Sequence, residues 1–418
     1  MKKIALFTLL ILLATLSALS AQTLSREDCI HLALRSHPDI KRFILQVKHS
    51  KTGVDVARAD YLPQVSFNGE YDPTRTYIFS ANGAFNTKDS DSWQAGVTLK
   101  QKIWDFSHTT ALIKAQEAQL EIATLSLRDA RALLAYKVKL QYDLALIQQR
   151  AMAVRKKDFQ VKEALYHQAR ALMEQGLKTH ADETRFLSAT SQAKDSQSIA
   201  RADFAKANTV LALYIGKPIP PDVEYTDTVP SPKAYKIGED TILHDSPLLQ
   251  SLQKNIEKND LLYKASKASR FGSIDAVVSF THQDTLNNYD TALVGVMFNI
   301  PLYSGGRLSA LEEQAIIDRQ SAQNEYAAKV LSLKEEVQTL IIDLHRYGQT
   351  IKARTAQIKA ARQTEEVING RYGEGLATYI EALDAASSLL DAQLGLLQAT
   401  YDRDRTICRL EYLQGKDK

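Results

Sequence analysis

Gly176-Leu177-Lys178-Thr179 and Gly375-Leu376-Ala377-Thr378 are one turn written twice, 199 positions apart. The same offset relates Gly96-Val97 to Gly295-Val296, Ala111-Leu112 to Ala310-Leu311, Leu211 to Leu410 and Gly216-Lys217 to Gly415-Lys416. Self-similarity sustained at one offset marks a repeated architecture, so each half is one unit of roughly 200 residues. Within each turn, Gly supplies a left-handed stop for the helix before it. Thr then caps the helix after it, and Asp182 or Glu381, three residues on, completes a capping box.

The helices on either side of these turns are very long. No Pro or Gly occurs from Ser107 to Gln175, and the run is dense in Ala, Leu, Gln, Lys and Glu. It predicts one helix over ~107–175, about 100 Å at 1.5 Å per residue. A second helix is expected over ~179–215, and the second half repeats the pair over ~307–372 and ~378–414, with a break at Gly373 to Ala377. Helices of this length outrun a small globular core and must lie along one another, as coiled coils or a helical tube.

Before each long helix the texture changes to period two. Val65, Phe67, Gly69 and Tyr71 alternate with Gln64, Ser66, Asn68 and Glu70; Trp93, Ala95, Val97 and Leu99 alternate with Gln94, Gly96, Thr98 and Lys100. These predict strands over ~63–71 and ~93–100, joined by a polar loop at 72–91. The second half predicts strands over ~274–281 and ~293–300 around a shorter loop, His282 to Thr291. Shorter helices precede each hairpin: Ser25 caps one, and Pro38 and Pro247 open others, where the missing N–H costs nothing. Residues 217–245 hold five of the ten prolines and read as an extended linker.

The N-terminus reads as an export signal over residues 1–21, with Lys2 and Lys3 before an apolar run and small residues after it. The apolar run is too short for a membrane anchor, and the rest offers no helix that would span a bilayer. Net charge is +3 with those two lysines included, so nothing points to a nucleic-acid partner. Cys29 and Cys408 are two isolated thiols or, if the chain ends meet, one disulfide. An exported chain without a spanning helix is either soluble or a β-barrel protein of an outer membrane. Strands of ~10 residues, tilted, span a bilayer, and open edges are forbidden in lipid. About eight strands are the fewest that close a barrel, so four strands per chain require several chains to share one. Gln64, Ser66, Asn68 and Glu70 then line water, while Val65, Phe67 and Tyr71 face lipid.

The segment Phe298-Asn299-Ile300-Pro301-Leu302-Tyr303-Ser304-Gly305-Gly306-Arg307, which closes the last strand and opens a long helix, resembles the signature of TolC-like outer-membrane efflux proteins. Gln101-Lys102-Ile103-Trp104-Asp105-Phe106 is its weaker first-half version. Arg371-Tyr372-Gly373-Glu374-Gly375, with Thr378 and Glu381-Ala382-Leu383-Asp384-Ala385, resembles the family's helix-turn-helix at the tunnel tip. The resemblance covers essentially the whole mature chain. It implies a mainly α protein with membrane β: a homotrimer whose strands form a twelve-stranded barrel continuous with an α-helical tunnel through the periplasm. The first repeat is then 22–216, the second 246–418, and the linker belongs to a belt around the tunnel's middle. Implied partners are a periplasmic adaptor (membrane fusion) protein and an inner-membrane pump or ABC transporter. The implied function is a passive outer-membrane exit duct for efflux or type I secretion.

The resemblance also assigns residues. Glu381 and Asp384, one turn apart on one helix face, match paired acids that ring the periplasmic entrance; six carboxylates around one constriction favour cations. Glu381 equally serves the capping box. Arg185 stands where the first half would repeat Asp384, so the ring is not doubled, and Arg185 is expected to pair with acids of a neighbouring helix. Ala377 occupies the place of a basic residue, which removes one familiar closing salt bridge, while Tyr372 keeps an aromatic that hydrogen-bonds across helices. Gly176-Leu177 and Gly375-Leu376 are the expected adaptor-docking points. Pro301, Leu302, Gly305, Gly306 and Arg307 carry the strand-to-helix motif. No catalytic constellation is evident: the nine His are scattered, Gly373-x-Gly375 lacks the strand and third Gly of a nucleotide loop, and no cofactor or metal is expected. The rival reading is a soluble periplasmic coiled-coil adaptor or scaffold, although such proteins usually carry one hairpin rather than two.

Overall fold

A computed structural model describes residues 23–79, 83, 85–225, 238–284 and 288–417. The expected export signal, 1–21, lies outside them. Contacts divide the chain into two units.

The unit formed by Phe43–Leu127 and Leu248–Val330 contains the sheet. Strands β2 (Gln64–Phe79), β3 (Phe85–Trp104), β5 (Ser273–Asp284) and β6 (Asn288–Asn299) pair in the order β2-β3-β5-β6. All three ladders are antiparallel. Phe67, Val97, Phe280 and Ala292 form one rung, and Ser66, Thr98, Ser279 and Leu293 the next. Successive side chains leave opposite faces, so Val65, Phe67, Val97, Val278, Phe280, Val294 and Phe298 share one face. That apolar face is bare in the protomer; Val294, for example, is 82% exposed. The opposite face carries Gln64, Ser66, Asn68, Glu70, Gln94 and Thr98, as the period-two pattern requires.

Both hairpins run longer than that pattern predicts. Asp72 to Phe79 pair with Phe85 to Ser92, and His282 to Asp284 pair with Asn288 to Asp290. The richness of these segments in Asp, Asn, Ser and Thr is that of a loop. A ladder is made by backbone groups, however, and Thr74, Thr76, Tyr77, Ile78 and Phe79 are strand formers. Near its end, β3 shifts register between Lys102 and Trp104, an irregularity that bends a strand and re-aims its end.

In chain order the helices are α1 (Arg26–Ser36), α2 (Pro38–Ala59), α3 (His108–Glu174), α4 (His180–Ile215), α5 (Glu239–Asp245), α6 (Pro247–Ala268), α7 (Arg307–Gly373) and α8 (Tyr379–Leu413). Each of α3 and α7 has 67 residues. In the sheet-containing unit, ion pairs tie the short helices to the long ones: Arg58 to Glu117 at 2.6 Å, Lys254 to Glu121 at 2.7 Å and Arg319 to Asp260 at 3.1 Å. No helix among the described residues is long and apolar enough to cross a membrane.

The other unit comprises Met1–Arg42, Arg128–Pro247 and Leu331–Lys418. Its core is a set of thin helical seams. Ala135, Val138, Tyr142 and Ala145 are buried on α3; Ala382, Ala385, Leu389, Ala392 and Ala399 are buried on α8. Spacings of three and four keep each seam on one helix face, and alanine lets backbones approach closely. The linker is less featureless than expected. Its β4 (Glu224–Tyr225) pairs in parallel with β1 (Thr23–Leu24), and it ends in α5. Two-residue strands leave no periodicity to read. Acids Glu239 and Asp240 in the first turn of α5 suit the helix dipole.

Polar groups are also buried here. Asp143 lies 3.5 Å from Arg26, and Asp404 lies 3.7 Å from Arg403, its Oδ1 lacking a hydrogen-bond partner. Burial and the nearby Asp143 push the Asp404 carboxyl up to about 7, against the pull of Arg403 and Arg26. Cys29 and Cys408 are both buried, and they form no disulfide with one another.

Candidate functional site: helix tips and strand-to-helix turns

The two tips repeat one construction. Gly176 (φ 73°) and Gly375 (φ 79°) take the left-handed conformation. The Gly176 N–H donates to Met173 O (2.9 Å) and the Leu177 N–H to Leu172 O (2.9 Å). In the second tip the Gly375 N–H donates to Tyr372 O (3.0 Å) and the Leu376 N–H to Arg371 O (2.8 Å). These are Schellman turns, which satisfy the last helix carbonyls and need glycine at that φ. Both predicted capping boxes form: the Thr179 N–H donates to Asp182 at 3.0 Å, and the Thr378 N–H to Glu381 at 2.7 Å. The Leu that follows each Gly is left bare, 66% exposed at Leu177 and 64% at Leu376.

Glu381 and Asp384 come together as the spacing requires. They line one groove of about 290 Å³ between α7 and α8, with Ala361, Thr364, Ile368, Ala385 and Ser388. The Thr378 amide and hydroxyl hold the Glu381 carboxyl below its ordinary value. Asp384 makes no hydrogen bond or ion pair among the described residues, and neither does Arg185. The expected pairing of Arg185 with acids of a neighbouring helix is thus not made among the described residues.

Tyr372 departs from expectation. It is fully buried with Leu165, Ala169, Phe186, Ala377 and Ala382, and meets Phe186 edge-on at 5.3 Å. Its hydroxyl has no hydrogen-bond partner, so the expected bond across helices is not made within one protomer. Burial, with Asp182 nearby, pushes the phenol up to about 12. A lysine of the other tip reaches Ala377. Lys178 Nζ donates to Ala377 O at 3.1 Å and sits 5.2 Å from the centre of the Tyr372 ring. Sequence reasoning missed this lysine, although it is the repeat equivalent of the alanine whose carbonyl it binds.

The strand-to-helix turns also match position for position. Gly305 (φ 60°) and Gly306 (φ 83°) are both left-handed, and so are their equivalents Phe106 (φ 54°) and Ser107 (φ 70°). The Arg307 N–H donates to Ser304 O (3.1 Å), and the His108 N–H to Asp105 O (3.0 Å). Pro301 and Leu302 lead into the second turn, where Leu302 is 94% exposed. The first turn has a buried anchor. The Asp105 carboxylate accepts the Thr109 N–H at 2.8 Å and the Tyr61 hydroxyl at 3.3 Å, and lies 3.6 Å from Lys102. Burial works against its charge, but Thr109 and Lys102 outweigh burial and hold its carboxyl below its ordinary value. Ser304 makes only a long 3.4 Å bond to the Leu308 N–H in the same place.

Comparisons with known proteins agree with this construction. The profile described as outer membrane efflux protein matches residues 29–217 and 240–416. The chain is 24% identical to the probable outer membrane lipoprotein SilC of Salmonella typhimurium, over 89% of this chain and 81% of that one. It is also 24% identical to the alkaline protease secretion protein AprF of Pseudomonas aeruginosa, over 93% of this chain and 84% of the relative. Among solved structures, the outer membrane protein VceC of Vibrio cholerae superposes with a TM-score of 0.83 at 16% identity, covering 93% of this chain and 96% of VceC.

Proposed function

The chain belongs to the outer membrane efflux protein family, and from that premise we propose that three copies assemble one outer-membrane exit duct. The observation that carries this reading is the sheet. One face is apolar and bare, the other is mainly polar, and β2 and β6 each pair on one side only. Unpaired backbone edges are costly in lipid, so the edges must be closed by further copies. Three sheets supply twelve strands, enough to close a barrel around water. The two repeats, 22–216 and 246–418, then contribute one hairpin and one long helix pair each.

Glu381, Asp384 and Tyr372 form the periplasmic gate in this reading. The acids place charge at the entrance, and Tyr372 with Lys178 fixes how the two tips sit. The knobs at Gly176-Leu177 and Gly375-Leu376 dock a periplasmic adaptor, which couples the duct to an inner-membrane pump or ABC transporter. The duct itself moves cargo passively, in efflux or in type I secretion. The test is gel migration of detergent-solubilised protein with and without heating, followed by reconstitution into planar bilayers. A heat-sensitive trimer with discrete conductance steps is expected. A monomer that stays soluble without detergent and does not conduct would overturn the reading in favour of a periplasmic scaffold.

A further inference from the structure

On the polar face of the sheet, one rung is hydrogen-bonded from edge to edge. The Tyr289 hydroxyl donates to Gln283 Oε1, Gln283 Nε2 donates to Gln94 Oε1 at 3.5 Å, and Gln94 Nε2 donates to Glu70 Oε2 at 2.5 Å. The four residues are in register across all four strands. Every donor points the same way, so the relay ends on a carboxylate, and each bond polarises the next. Glu70 Oε1 is left without a partner among the described residues.

Beside Glu70 the wall is hollow. A notch of about 360 Å³ is walled by Asn68, Glu70, Gln94, Thr98 and Thr281. Its floor is Gly96, where a Cβ would lie 2.6 Å from Thr281 Oγ1 and 2.9 Å from Phe280 O. The neighbouring strand thus excludes any side chain that would fill the notch.

We propose that this notch binds an ammonium group carried by a solute in the channel, with Glu70 as its counter-charge. The proposal rests on the reading that this face lines the duct. The chemistry favours an N–H donor over a bare metal ion. One carboxylate stands among neutral oxygen acceptors on Asn68, Thr98 and Thr281, and no group of metal-ligating residues occurs among the described residues. Three copies place three such notches at one level of the barrel. Glu70 is therefore a selectivity determinant of the membrane segment, separate from the acids at the helix tips.

The test is block of single-channel current in planar bilayers by 1,4-diaminobutane. It compares the unaltered protein with Glu70→Gln, Glu70→Asp and the double variant Glu381→Gln with Asp384→Asn. Concentration-dependent block is expected, weakened about threefold by Glu70→Gln, the order of one screened charge contact. Glu70→Asp should retain block, and so should the tip variant. Equal block in Glu70→Gln, or loss of block only in the tip variant, overturns the wall site while leaving the duct intact. Protein that forms no channel overturns the duct and the site with it.

Discussion

Phe106-Ser107 and Gly305-Gly306 hold the same two left-handed residues at the same point of the repeat, by different physical means. In the second half, glycine makes the conformation nearly free. In the first half, two residues with side chains adopt it against a steric cost of roughly 1–2 kcal/mol each. What holds them is Asp105, buried and bonded to Thr109 and Tyr61 beside Lys102. Where one copy of a repeat loses its permissive residues, a local polar anchor can keep the backbone unchanged.

The sharpest way to break this comparison is to remove the anchor. Asp105→Ala leaves Lys102 and Thr109 without their buried partner and should lower stability by about 3 kcal/mol, whereas Ser304→Ala should change it little. Thermal melting in detergent would show both; similar losses would mean the two turns do not differ. Because the Asp105 carboxyl is held low, its contribution is present above the ordinary carboxylate value and disappears as pH falls below about 4.

A second contrast between the halves lies in α8. Asp404 is buried, whereas its repeat equivalent on α4 is Ala205. A carboxyl raised to about 7 holds a proton that the unfolded chain gives up near pH 4. Its favourable contribution is therefore full in acid and lost as pH rises to about 7. Asp404→Ala should stabilise the protein by about 2 kcal/mol at pH 8 and hardly at all at pH 4. Melting curves across that range test it, and a pH-independent effect would refute the assignment. Smaller effects separate the turns themselves. Gly306→Ala should cost about 1 kcal/mol, and Ser107→Gly should gain up to the same amount by relieving strain. The smallest stability changes belong to the tips. Glu381→Gln keeps the capping box, and Asp384→Asn removes no bond within the protomer, so melting should shift by less than about 0.5 kcal/mol. Cation selectivity in bilayers should nonetheless fall in both variants.

Much of this architecture was legible in the chain. The long helices followed from 67-residue stretches of helix formers, and the tips followed from Gly-Leu and Thr at one offset. Strand centres showed as alternation because one face meets an apolar surround. Strand ends did not, since the composition of Asp72 to Phe79 mimics a loop while the ladder that pairs them is made by backbone groups. At the candidate site, Glu381 and Asp384 lay where helix spacing put them. Lys178 on Ala377 O and Glu70 at the end of its relay were hidden, because each depends on which strand or turn lies alongside. The role of Asp105 was hidden too, as its partners Thr109 and Tyr61 are ordinary residues until folding gathers them.

The two-residue left-handed turns also govern which changes of length the molecule can absorb. An α-helix advances about 100° per residue. One residue inserted between Trp104 and His108, or between Tyr303 and Arg307, would rotate the following long helix by that angle. The stripe of Ala111, Ala115 and Ala118 would then face the wrong neighbour along its whole length. Hairpin ends can lengthen without such a penalty, and the first hairpin has done so relative to the second. These turns therefore act as an indexing joint: growth is free at one end of each strand and quantised at the other.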